Sequence, residues 1–192
     1  MVMPGGDRFS VIQHEANSAQ RVWSFDLSGA DPQVVLPSIS RVGYHVWIDD
    51  GTLALWVLGT PPTLQVADIP AQTVEVLAED IGRFMQKVPG QALASFLHRE
   101  TRGEERVDVI KTVDPGTGEV VVLGDALEGS EYYAWTPGGL ILMSSGSKVF
   151  AFSPANESRW WEVADLESAG IHGITRLAVS PDGSRLAVVA SR

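Results

Sequence analysis

A turn followed by an alternating apolar run returns five times along this chain, and that repetition constrains its fold more than any other feature. The copies begin at Pro4-Gly5-Gly6, Asp49-Asp50-Gly51, Pro89-Gly90, Pro137-Gly138-Gly139 and Pro181-Asp182-Gly183. The marker glycines Gly6, Gly51, Gly90, Gly139 and Gly183 are spaced by 45, 39, 49 and 44 residues. Such an interval belongs to repeats of ~40–50 residues in which each unit is a small antiparallel sheet. Proline presets φ for the second position of a tight turn, and glycine accepts the positive φ that follows.

The segments between the markers keep one internal order. A second strand-like segment appears in each unit at Arg21–Leu27, Thr63–Ile69, Arg106–Ile110 and Lys148–Phe152. A third follows at Gln33–Leu36, Thr73–Leu77, Glu119–Leu123 and Trp160–Val163, and a fourth at Tyr44–Trp47, Met85–Val88, Tyr132–Trp135 and Leu177–Val179. Period-two alternation, β-branched and aromatic residues and Gly/Pro turns mark all of them as strands. A four-stranded unit at this period packs radially as a β-propeller. The expected fold is therefore all-β, one propeller of about four blades over 1–192, with segments near 4–39, 40–80, 82–125, 129–166 and 173–192. Seventeen strands are expected, and the first unit lacks its inner strand while the last has only inner ones. The ring either closes by joining those two parts or stays an open arc. In the second case Gly6–His14 and Arg185–Ala190 are exposed edges that template pairing with a second copy. Trp47 and Trp135, at equivalent places before the marker turns, read as wedges between blades.

Composition excludes several functions. The chain has no Cys, which removes zinc fingers, Cys-ligated clusters and thiol catalysis. With 24 acidic and 14 basic residues the formal charge is −10, against the clustered cations that a nucleic-acid surface needs. No apolar run approaches the ~20 residues of a spanning helix, so membrane insertion is not expected. The opening Met1-Val2-Met3-Pro4-Gly5-Gly6 does not read as a signal peptide.

No Gly-x-Ser-x-Gly elbow, phosphate loop or His-Glu-x-x-His motif is present. Asn156-Glu157-Ser158 fits the glycosylation pattern, a match that arises often by chance. His45 lies on an innermost strand and His172 just before another, which places both near the channel mouth. Tyr44, Glu131, Tyr132, Tyr133 and Arg176 occupy related positions. Imidazole with carboxylate suits a divalent metal, but two histidines are thin support for a site that needs three or more ligands. The competing reading makes His45 and Tyr133 satisfied polar residues between blades. No metal is assigned and no cofactor is expected. His98-Arg99-Glu100-Thr101-Arg102-Gly103-Glu104-Glu105-Arg106 is the densest charge run, expected as a solvated loop.

Ile174-Thr175-Arg176-Leu177-Ala178-Val179-Ser180-Pro181-Asp182-Gly183-Ser184-Arg185-Leu186-Ala187 resembles the signature of TolB-like (PD40, "WD40-like") β-propeller repeats. Thr136-Pro137-Gly138-Gly139 and Met3-Pro4-Gly5-Gly6 are weaker copies; Ile48-Asp49-Asp50-Gly51 lacks the Pro, and Val88-Pro89-Gly90 is one residue short. The turn is structural, so the resemblance speaks for fold more than for function. It implies a periplasmic or secreted protein and usually six or more blades, in binding platforms or as domains of larger enzymes. The resulting expectation is a non-catalytic scaffold for a protein or peptide partner, with Tyr44, His45, Glu131, Tyr133, His172 and Arg176 as candidate contacts. The alternatives are a metal-assisted hydrolase or lyase using His45, His172 and Glu131, and a fragment of a larger exported propeller.

Overall fold

The computed structural model describes residues 1–156 and 159–191, and in them seventeen strands form five antiparallel sheets. The first sheet holds β1 (Arg8–His14), β2 (Gln20–Asp26) and β3 (Gln33–Val34). The second holds β4 (Val42–Trp47), β5 (Thr52–Val57), β6 (Thr63–Asp68) and β7 (Thr73–Glu79). The third runs β8 (Ile81–Lys87), β9 (Ala94–Arg102), β10 (Glu105–Val113) and β11 (Val120–Asp125). The fourth comprises β12 (Ala134–Trp135), β13 (Ile141–Ser145), β14 (Lys148–Phe152) and β15 (Trp161–Asp165), and the fifth only β16 (His172–Val179) and β17 (Leu186–Ser191). The one helical turn among the described residues is a 3-10 segment, Glu167–Ala169. Each sheet is a meander in chain order, which is the blade of a propeller.

Aspartates build many of the turns, and this accounts for part of the acidic balance. Asp49 Oδ1 accepts the N–H groups of Gly51 and Thr52 at 2.9 and 2.8 Å. Asp182 Oδ1 accepts the Ser180 hydroxyl at 2.6 Å and the Ser184 N–H at 3.0 Å, and these bonds draw its pKa down to about 2. Positive φ occurs at Gly6, Gly90, Gly139 and Gly183 as the turn argument requires. Gly51 is the exception: its turn is held by the Asp49 carboxylate instead.

Core residues lie between sheets rather than within one. Val22 and Leu36 of the first blade meet Val42, Trp47, Leu53 and Leu55 of the second. Val46, Ala54 and Leu64 then meet Ile81, Met85 and Phe96 of the third. Leu97 and Ile110 meet Tyr133, Ile141, Met143 and Phe152 of the fourth, while Ala134 and Val149 meet Ile174 and Leu177 of the fifth. Along β5 and β9 odd and even positions cover opposite neighbours, as Leu53 and Leu55 against Ala54 and Phe96 against Leu97 show, which is why both faces of these strands are apolar.

The circle is not closed. β16 and β17 pair only with each other, and the union with β1, β2 and β3 that would make a four-bladed ring is absent among the described residues. One expected edge is partly covered. Val2 bridges Phe9, and Met1 and Ser10 exchange backbone bonds at 2.7 Å, so Met1–Met3 lie where an inner strand would pair with β1. The charge run also differs from expectation: it lies on β9 and β10, which extend to Arg102 and resume at Glu105 around a two-residue turn. Cross-strand pairing of opposite charges lets it do so, as in Arg99–Asp108 at 3.8 Å and Lys111–Glu100 at 2.7 Å. The Asn156-Glu157-Ser158 match falls in part outside the described residues.

Candidate ligand-binding channel mouth

The marker turns fix a common register for the inner strands. Ile48, Val88, Thr136 and Ser180 each donate their N–H across the turn, to Thr52, Leu93, Leu140 and Arg185. Trp47, Lys87, Trp135 and Val179 are therefore equivalent, and three residues before them stand Tyr44, Phe84, Tyr132 and Arg176. Backbone irregularities aim this row. The ladders of β4 and β8 shift register around Gly43 and Gly82, and that of β16 shifts at Gly173. Such bulges re-aim side chains near sites. Gly43 is obligatory in this position, because a Cβ there would collide with the Trp56 ring.

The four side chains converge from blades two to five. Phe84 meets the Tyr132 ring edge-on, with centroids 5.2 Å apart at 64°. The Arg176 guanidinium carbon lies 4.7 Å above the Tyr132 ring, and its Nη2 donates to the Tyr132 hydroxyl at 3.1 Å. The Tyr44 phenol faces that of Tyr132, and this neighbour first, with burial adding to the effect, raises the Tyr44 pKa. Burial pushes the Tyr132 phenol upward, but its interactions with Tyr44 and with Arg176, whose charge adds to the effect, outweigh it and leave the pKa lowered. Beyond the cluster, Met1–Pro4 on one side and Val179 and Pro181 on the other face a cavity of about 890 Å³ that Tyr44 and Phe84 also line. A smaller pocket of about 240 Å³ lies against Glu131, Tyr132, Ser144 and Ile174.

One residue later the side chains turn into the joints between blades. His45 Nε2 lies 2.8 Å from Ser10 Oγ, and Trp47 Nε1 donates to the same oxygen at 2.9 Å. Two blades on, Tyr133 and Trp135 donate to Ser95 Oγ, both at 2.8 Å, and Ser95 donates to the Gln86 carbonyl at 3.0 Å. Trp47 can only donate, and His45 Nε2 is the other partner of Ser10 Oγ among the described residues, so a neutral His45 accepting the Ser10 proton satisfies all three groups. Burial first, and the charge of the N-terminal ammonium second, push the His45 pKa down to about 4. A serine and a histidine at this distance have the form of a nucleophile and its base. Ser10 is wholly inaccessible, however, and a tyrosine fills the histidine's place in the second copy, so the pair is a packing joint.

The structure thus brings Tyr44 and Arg176 together with Tyr132 and leaves the other candidates apart. Glu131 is exposed beside Tyr132, whose phenol feels its charge. His45 and Tyr133 lie between blades. His172 is exposed at the start of β16, near enough to Asp165 for its charge to be felt there. Among the described residues no three His, Asp or Glu side chains converge as metal ligands would. Phe84 escapes the sequence reading because the third marker is one residue short, which shifts the alignment of that inner strand. Counting back from the cross-turn bond rather than from Pro-Gly would have found it.

No family model matches the chain, and no curated protein matches it in sequence. Solved structures do match. TolB from Acinetobacter baumannii aligns over 96% of this chain and 47% of its own, with TM-score 0.64 and 20% identity. The putative TolB from Agrobacterium tumefaciens aligns over 100% and 73%, with TM-score 0.72 and 14% identity. Oligogalacturonate lyase in complex with manganese aligns over 100% and 58%, with TM-score 0.69 and 14% identity. The chain therefore spans about half the length of the first of these and more of the others. Four-stranded meanders in one register, packed blade on blade and left open, together with these likenesses, give the chain the TolB-like β-propeller fold.

Proposed function

We propose that this chain is a non-catalytic binding module that takes a protein or peptide segment at its channel mouth. The carrying observation is the row of Tyr44, Phe84 and Tyr132, three aromatic side chains from three blades at one register, joined by Arg176. Blade faces are consumed by packing, so recognition falls to the mouth and the loops. Aromatic rings and arginine are the side chains that anchor peptide contacts, because they bury much area at little entropic cost. The metal-assisted alternative asks for donors that His45, spent on Ser10, and the outlying His172 do not bring together. A periplasmic or secreted location, carried from the TolB-like resemblance, is part of this proposal, as is association of copies through the free β17 edge.

Peptide display against the purified chain tests the reading. Selection should enrich peptides that bind the wild-type protein and lose about tenfold or more in affinity with Phe84→Ala or Tyr132→Ala, as expected when an aromatic anchor is truncated. Enriched peptides that bind both variants as well as wild type would move the site elsewhere and overturn the assignment.

A further inference from the structure

Arg176 stands in an unusual electrostatic situation for this chain. Carboxylates outnumber cations by 24 to 14, and several other arginines use the surplus directly. Arg8 bonds Asp31 at 2.7 Å, Arg21 bonds Glu15 at 2.6 Å, and Arg106 bonds Asp80 at 2.7 Å. Arg176 has no carboxylate partner among the described residues; it rests on the neutral phenol of Tyr132 and lies within reach of the Tyr44 hydroxyl. Arg41, just before β4, and Arg83, near the start of β8, form no ion pair among the described residues either. Topology puts all three at the same end of the inner strands. The cations without a carboxylate partner among the described residues thus include one on or beside the inner strand of each of three blades.

The donors there have no acceptor to match. A guanidinium carries five N–H groups in a rigid fork, and the phenols of Tyr132 and Tyr44 engage only part of it. The Tyr132 oxygen accepts from Arg176, and its own O–H remains a donor for a ligand. Stacking on the Tyr132 ring fixes the plane of the guanidinium and limits its rotamers, so a ligand finds it already oriented. A planar fork beside a hydroxyl donor matches a carboxylate, which accepts two parallel bonds and keeps lone pairs for a third. Glu131 is the opposing charge, and it acts on Tyr132 less strongly than Arg176 does. The adjoining pocket of about 240 Å³ accommodates a short side chain or a chain end.

We propose that Arg176, Tyr132 and Tyr44 form a carboxylate-recognition subsite, which takes the C-terminal carboxylate or an Asp/Glu side chain of a bound peptide. This rests on the peptide-binding reading above. Three pools of N-acetylated hexapeptides distinguish the sources: uncharged sequences as free acids, the same sequences as C-terminal amides, and amides carrying one Glu. Calorimetric titration should show at least one acid pool binding ~10-fold more tightly than the neutral amides, the difference expected of a charge-assisted fork. Arg176→Lys, which keeps the charge and loses the fork, should forfeit most of that preference at an unchanged melting temperature, since the residue is exposed. Tyr132→Phe should weaken acid binding a few-fold, and Glu131→Gln should strengthen it. Neutral amides that bind as tightly as the acids, still sensitive to Phe84→Ala, would overturn the subsite while leaving peptide binding intact. Failure of every pool would overturn both. Arg176-dependent binding of oligogalacturonate without any peptide binding would assign the cation to sugar acids and likewise overturn the proposal.

Discussion

Acidification from pH 7 to pH 4 should remove about 3 kcal/mol of folding stability through His45 alone. Burial between the first two blades, with the N-terminal charge adding to it, holds the ring neutral beside the Ser10 hydroxyl at 2.8 Å, to which Trp47 also donates. Its folded pKa is about 4, against 6.5 for an unperturbed imidazole. A depressed folded pKa means the unfolded chain takes up the proton first. Stability is complete above pH 6.5 and is lost as pH falls toward 4, by about 2 kcal/mol at pH 5 and about 3 at pH 4. Against a total of roughly 5–15 kcal/mol, that loss is large. The carboxylates titrate over the same range, so the measurement must be a difference. His45→Gln keeps an acceptor for Ser10 and cannot titrate. Urea unfolding of both proteins, followed by tryptophan fluorescence at pH 7, 6, 5 and 4, should show the wild-type curve falling below the variant's by that increment. Parallel pH profiles for the two proteins would refute the claim that the joint holds His45 neutral.

The second joint gives a mutational counterpart: Ser95→Ala strands the Tyr133 hydroxyl and the Trp135 N–H and should cost about 1–3 kcal/mol in the same urea assay. Gly43→Ala forces a Cβ into the Trp56 ring and should cost about 1–3 kcal/mol, with loss of the Tyr44 contact visible as weaker ligand binding. Phe96→Ala, in the fully buried cluster between the second and third blades, should cost about 3–5 kcal/mol. Light scattering across a concentration series should show association beyond the monomer if copies pair through β17, whose Leu186 and Val189 are exposed; a constant monomer mass refutes that pairing.

The blades were readable because their information is local. Asp-Gly and Pro-Gly turns, and runs that alternate with period two, specify meanders without reference to distant residues. The inner row was readable in part: Tyr44 and Arg176 stand out as polar residues on inner strands, and the copy containing Tyr132 carries two adjacent tyrosines. Phe84 was hidden by a one-residue slip in the third turn. The serine joints were not readable at all. Ser10 is 35 residues from His45 and Ser95 is 38 from Tyr133, and nothing in a lone serine announces which neighbour it will satisfy. The charge run was misplaced for a related reason, since opposite charges facing each other across a hairpin stabilise strands that composition alone assigns to a loop.

Because each apolar cluster draws its members from two neighbouring blades, no blade owns an interior of its own. The cohesive unit is the seam, and the molecule behaves as a row of coupled links with nearest-neighbour terms. Severing one link deprives both flanking blades of a covered side, while a third blade further along feels nothing directly. Amide exchange should therefore be slowest along β5, β9 and β13, each clasped on both flanks. It should quicken stepwise toward β17, which leans on one neighbour only, so that unravelling begins at that extremity and travels inward.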